Sequence, residues 1–365
     1  MNDSYKPPTW LHLFGHLGRK VYNIFNQPYK ALGYVNDWKE AFIKSDKLDV
    51  DLYNICDLVA YKNCKKKINE YSVLIVLHSA LGDNCELLLK TAHWFQKRKG
   101  KLVVFIGNEY DLLDKKIQFL KEAGADFICS QLPRSASQFL YADCEHSTIV
   151  DMPHALNEEV YQHSPKKNYE TKVSFIGARY PIWLGDDERN DFIDYCKSLN
   201  SSSFVIKDGE GNLPRSDWAS FLVNASATIG AEAGTYFLDR HGEILSAAKK
   251  AHEQGHGEVF FSHQEYAENN NIEYTSGKAI SSRHFEAMGT KTVQILLEGE
   301  YNHLMTPDLH YISIKKDFSN FKEKWQEFED QSRCTDISER CFEYVMEKHR
   351  YVHRVDHLLS TLGVC

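Results

Sequence analysis

Residues 280–291 read Ile-Ser-Ser-Arg-His-Phe-Glu-Ala-Met-Gly-Thr-Lys, a set of residue types suited to gripping a phosphorylated ligand. Small residues precede a short helix, which leads through Gly289 into an apolar strand at 292–296. A helix start in this position offers free N–H groups and the positive end of its dipole to a phosphate. Arg283 adds a guanidinium that binds phosphate in bidentate fashion. Glu286 lies one turn further on, where a carboxylate can accept both hydroxyls of a ribose. The plainer alternative is a surface helix whose Glu improves its own N-terminal electrostatics.

A second carboxylate, Glu232, stands in Gly-Ala-Glu-Ala-Gly-Thr at 230–235, just behind an apolar strand. Small neighbours admit a ligand closely, so Glu232 is a candidate base, nucleophile or sugar-hydroxyl anchor. Its structural alternative is a Glu satisfied by backbone amides at a helix start. His78 and Asp83 follow the first buried strand and are candidates for binding an acceptor hydroxyl or taking its proton. Asn108, Glu109 and Tyr110 follow the second strand in the same way. For His78 a core-edge histidine with a satisfied hydrogen bond is the competing explanation. The run His252-Glu253-Gln254-Gly255-His256 fits the zinc-protease pattern, but Gly255 and Gly257 point to a helix end there, so we expect no metal site.

These residues need a scaffold, and the chain supplies a strand–helix rhythm. Apolar runs at 73–77, 102–106, 126–129 and 148–150, with helical stretches between them, predict a parallel sheet. After a boundary near residues 151–171 a second series begins, with strands expected at 172–177, 204–206, 227–230, 292–296 and 311–314. Helices are expected at 84–98, 112–122, 192–199 and 218–223, and a helical tail over 318–362. Near the start, Trp10, Leu13, Phe14, Leu17, Val21 and Phe25 recur at helical spacing, with Arg19 and Lys20 beside them. That pattern is a helix packed on the domain, or else an interfacial helix giving peripheral membrane association.

The whole-chain figures bound the class. The 365 residues suit about two domains, and 42% hydrophobic residues suit sizeable cores. A net charge of −8 argues against a general nucleic-acid binder. Nine cysteines without any Cys-x-x-Cys pair read as reduced thiols. No secretory leader and no apolar run of ~18 residues is visible, so a cytoplasmic location is expected.

Segment 280–291 resembles the C-terminal donor-binding motif of the group 1 glycosyltransferases with the two-domain GT-B fold. The likeness is greatest to the CgeB-like (spore-maturation-protein-like) branch and to transferases of bacterial surface-polysaccharide clusters, where a phrase like Ser-Arg-x-Phe-Glu-Ala-x-x-x-Gly-Thr is typical. Here Gly289-Thr290 follows Glu-Ala-Met directly, so the spacing is shorter. Glu300-Tyr301, His310-Tyr311-Ile312, Asp317-Phe318-Ser319-Asn320 and the closing 349–354 run (His-Arg-Tyr-Val-His-Arg) match in the same order, and the likeness covers 172–362. Glu232, with Asp239 and Gly242 downstream, is similar to a phrase of some capsule and lipopolysaccharide transferases.

The resemblance implies two Rossmann-like α/β domains with parallel sheets facing a cleft. The acceptor-side domain would span 1–155 and the nucleotide-sugar domain 156–345, with a C-terminal helix at 346–365 packing back toward the first. It implies that Glu286 binds the donor ribose, and that Ser282, Arg283 and the amides around His284 and Phe285 hold the phosphates. Gly177 would be the close-approach glycine after the first strand of the second domain, with Arg179 and Lys207 as further cations. Many retaining members carry a Glu-x7-Glu pair; the position of the first Glu is occupied here by Lys278, which would neutralise phosphate instead. The implied reaction moves a sugar from a nucleotide sugar to an acceptor hydroxyl of a growing surface glycan, glycolipid acceptors included, with no cofactor and no essential metal. Two alternatives stay open: a transferase for CMP-activated acidic sugars such as Kdo, using Glu232, and a catalytically degenerate subunit that binds glycan or a partner transferase.

Overall fold

The computed structural model describes residues 33–82, 85–163, 172–209, 213–255 and 261–364. All nine apolar runs singled out above are strands in it: β1 (Val73–Val76), β2 (Lys101–Phe105), β3 (Phe127–Ser130), β4 (Thr148–Asp151), β5 (Val173–Gly177), β6 (Phe204–Asp208), β7 (Ala227–Gly230), β10 (Val293–Leu297) and β11 (Ile312–Ile314). A two-stranded antiparallel pair, β8 (Leu238–Asp239) with β9 (Tyr274–Thr275), was not foreseen. The apolar N-terminal stretch from Trp10 to Phe25 lies outside the described residues, as do Asp83 and His256.

The chain divides into two compact units. One takes the described residues up to Met152 together with 238–247 and 264–275; the other takes 153–237, 248–263 and 276 onward. The first holds a parallel sheet in the order β1-β2-β3-β4. Its core gathers Leu102, Val104, Ile106, Phe119, Leu120 and Ile128.

The second unit positions the motif residues. Its parallel sheet runs β11-β10-β7-β5-β6, so the third strand in sequence lies beside the first, and the order reverses between β5 and β7. In open sheets of this kind ligands bind beyond the carboxyl ends of the strands at the reversal. Every residue of β10 is buried, as expected for a central strand covered on both faces. Helix Ser282–Gly289 turns Phe285, Ala287 and Met288 into the same core as Cys334, Ile337, Cys341 and Val345 of helix Gln331–Lys348. Fully burying an apolar side chain the size of Phe285 or Met288 stabilises by roughly 1.5–3 kcal/mol, enough to fix the face of this short helix. The remainder of the tail is also helical, at Phe321–Glu329 and Tyr351–Leu362. Among the described residues no helix is long and apolar enough to cross a membrane.

Candidate functional site

β5 ends at Gly177, at the reversal of the second sheet. A Cβ built at Gly177 would lie 2.6 Å from Nη2 of Arg189 and 2.9 Å from Nη1 of Arg283. Two guanidiniums therefore converge on a strand end where a Cβ would displace them. Arg283 comes from the first turn of helix Ser282–Gly289; it donates to the Ile176 carbonyl at 3.1 Å and lies 4.7 Å over the Trp218 ring. Arg189 comes from the first turn of helix Glu188–Ser198 and lies over Tyr180 at 4.8 Å and Phe175 at 5.4 Å. Neither arginine has a carboxylate within ion-pair distance among the described residues. Burial lowers the Arg283 pKa, and the neighbouring Arg189 charge lowers it further. Asn190 steadies the loop between β5 and these groups, accepting from Tyr180 N at 3.0 Å and donating to Tyr180 O at 2.9 Å.

Glu286 lies beside this cradle, almost fully buried. Its Oε2 accepts from Trp218 Nε1 at 2.6 Å, and the Ser282 and Tyr161 hydroxyls lie close enough to favour its charged form. Burial pushes its pKa up, against these donors and Arg283, which hold it down. Ser281 N donates to His284 Nδ1 at 3.0 Å, so the His284 side chain closes the helix start, and burial depresses its pKa to about 4. Phe285 points into the core.

Gly177, Ser282, Arg283 and Glu286 are thus brought together. Arg179 lies two residues beyond Gly177, but its guanidinium donates to Asp208 at 2.6 Å and to Asp194 at 2.9 Å. Lys207, on β6 opposite Ile176, is exposed. Lys278 is buried against Asp186, with Nζ 2.5 Å from Oδ2. Glu232 is also buried, accepting from Tyr301 N at 2.6 Å, and burial raises its pKa. The small residues around it serve the chain itself: Ala233 and Ala279 exchange backbone hydrogen bonds at 2.8 Å, and Gly234, at φ +111°, has the Gly277 carbonyl 2.2 Å from where a Cβ would stand. Asp239 caps a helix, accepting from Glu243 N and Ile244 N at 3.0 Å.

In the other unit His78 is buried, with the rings of Phe105, Tyr34 and Trp38 at 5.2, 5.7 and 5.9 Å. Glu109 is enclosed as well; it accepts from Ser130 Oγ at 2.8 Å, Gln131 N at 2.8 Å and the Tyr141 hydroxyl, and burial raises its pKa.

Sequence reasoning did not find Arg189, Trp218 or Tyr161. Arg189 carried a usable signal, because a cation in the first turn of a helix opposes the dipole and needs another reason to be there. The expected helix started at 192, which left Arg189 in a loop. Trp218 carried a weaker one: an indole N–H that is buried seeks an acceptor.

No protein-family model matches the chain, and no curated protein matches it. Solved structures do. An α-glucosyltransferase in complex with UDP and a 13-mer DNA containing a HMU base is similar at a TM-score of 0.51, with 9% identity over 83% of each chain. A glycosyltransferase from Rickettsia africae ESF-5 is similar at a TM-score of 0.50, with 10% identity over 86% of this chain and 83% of that one. The fold is GT-B. At such low identity the likeness concerns backbone architecture, so the GT-B assignment rests on the two parallel-sheet units and the helical tail together with these structures.

Proposed function

We propose that this GT-B chain is a glycosyltransferase that takes a nucleoside-diphosphate sugar as donor. The observation that carries the reading is the pair Arg189 and Arg283, without carboxylate partners, converging on Gly177 beside the buried carboxylate of Glu286. A diphosphate brings two anionic groups to two guanidiniums, and bidentate guanidinium–phosphate contacts are strong and directional. Glu286 then receives the ribose hydroxyls, held for that purpose by Trp218. As the bond to the sugar breaks, charge grows on the leaving diphosphate, and the two cations stabilise it where it develops. These fixed charges supply what a divalent ion would supply elsewhere, so transfer is expected to continue in EDTA.

We read Glu232 as a residue that holds the 299–301 turn through the Tyr301 amide, which removes the motive for a carboxylate-nucleophile reaction on CMP-linked acidic sugars. His78, enclosed by aromatic rings, is read as packing. The acceptor we take to be a hydroxyl of a surface glycan, the class implied by the sequence resemblance; the α-glucosyltransferase of the same fold, solved with UDP, supports a uridine carrier.

Calorimetric titration with UDP tests the reading. The wild-type chain is expected to bind it, and Glu286→Gln to bind about 10-fold or more weakly, since hydrogen bonds to a charged group contribute ~1.5–3 kcal/mol. Equal affinity of the two proteins would remove Glu286 from the site.

A further inference from the structure

Arg189 follows a short segment, 181–188, that starts with an apolar run ending in the buried Leu184 and closes with the acidic residues Asp186, Asp187 and Glu188, and polar contacts tie it to the rest of the unit. Thr235 Oγ1 donates to Leu184 O at 2.7 Å, and His263 Nε2 lies 2.9 Å from Trp183 O. Asp186, whose side chain is fully enclosed, links two tasks. Its Oδ1 accepts from Glu188 N at 3.3 Å at the helix start, and its Oδ2 holds Lys278 Nζ at 2.5 Å. Lys278 Nζ also lies 3.4 Å from Glu188 Oε2 and 5.1 Å from the centre of the Tyr236 ring. The other Glu188 oxygen accepts from Lys316 Nζ at 2.7 Å and from the Tyr236 hydroxyl at 2.6 Å. Residue 189 is the next residue along the helix.

We propose that Lys278 is a positioning residue for the diphosphate cradle. It clamps Asp186 and Glu188, and thereby sets the first turn of helix Glu188–Ser198 so that the Arg189 guanidinium meets Gly177 and Arg283. The inference rests on the donor-site reading above and deepens it. An ammonium with 4% of its side chain exposed, and with two carboxylates already around it, is poorly placed to meet a ligand directly. It is well placed to fix one element against another, because a buried ion pair stays stable only while both partners remain in register.

The test separates phosphate from nucleoside. UDP and uridine are titrated into the wild-type chain, Lys278→Met, Arg189→Ala and the double variant. Lys278→Met is expected to bind UDP about 10-fold more weakly, as for a charge-assisted contact that has lost its geometry, and uridine within about twofold of wild type. In the Arg189→Ala background the Lys278→Met change is expected to add nothing, because both act through one guanidinium. General loosening of the fold would weaken both ligands and add to Arg189→Ala; either result overturns the inference, as does unchanged UDP affinity. Where loss of the buried cation prevents folding, Glu188→Gln at the outer end of the clamp is carried through the same arms. A wild-type chain that binds neither UDP nor inorganic pyrophosphate overturns the donor-site reading and this inference with it. A wild-type chain that binds UDP, with Lys278→Met as tight, overturns this inference alone.

Discussion

Acid should loosen the second unit, and its histidines set how steeply. Burial holds His154 neutral with a pKa of about 3, helped by the Arg354 charge, and holds His284 at about 4. In the unfolded chain each returns to roughly 6.5. The unfolded state therefore binds the proton first, and stability falls as the pH drops through the window from roughly 6.5 to about 4. Between pH 7.5 and 5.0 one such histidine costs about 2 kcal/mol and the two together about 4 kcal/mol, a large part of the ~5–15 kcal/mol that holds a domain folded. His349, depressed by burial to about 3, acts in the same direction. Glu232, Glu286 and Asp186 act oppositely: burial raises their pKa values, so acid relieves them. A comparison of variants isolates the histidine contribution. In His284→Asn the amide oxygen takes over the role of Nδ1 toward Ser281 N but does not titrate. Hydrogen exchange in peptides covering Val293–Leu297, buried at every position, reports the opening free energy of this unit. Packing lost in the variant lowers stability equally at both pH values and cancels. The variant should lose about 2 kcal/mol less than wild type between pH 7.5 and 5.0. Identical pH dependence in the two proteins would refute the account of a neutral buried His284.

Gly177→Ala places a methyl against the ends of two flexible arginine side chains. The fold should survive, with little change in melting temperature, while UDP affinity measured by calorimetry drops about 10-fold. Trp218→Phe leaves the buried Glu286 carboxylate without its 2.6 Å donor, so urea unfolding should show a loss of about 1–3 kcal/mol. Gly234→Ala combines a φ of +111° with a Cβ 2.2 Å from the Gly277 carbonyl, and thermal unfolding should reveal destabilisation of about 2 kcal/mol or more.

The sheets were legible because buried parallel strands must be continuous apolar runs, and Val73–Val76, Lys101–Phe105 and Val293–Leu297 are such runs apart from an edge lysine and one Gln. The helix carrying Arg283 and Glu286 was legible for a related reason: a serine at its start precedes an amphipathic turn, and the structure has a helix over Ser282–Gly289. Arg189 was hidden because its helix is polar at the start and because Arg283, which meets it at Gly177, is distant in sequence. Around Glu232 the small residues were visible, but nothing local distinguishes room for a ligand from room for the backbone at 277–279. Lys278 shows the same limit. Its departure from a familiar carboxylate was plain, whereas its ties to Asp186 and Glu188 exist only after folding.

The two neighbouring guanidiniums at Gly177 also bear on turnover. A nucleotide sugar presents a diphosphate whose outer phosphate is masked by the sugar; once the sugar has gone, that phosphate gains a further negative charge. On the proposed reading, a cradle of fixed cations is therefore expected to grip the spent carrier more firmly than the fresh one. If the proposed donor site holds, departure of the nucleoside diphosphate is expected to be slow, and UDP is expected to inhibit transfer as a product.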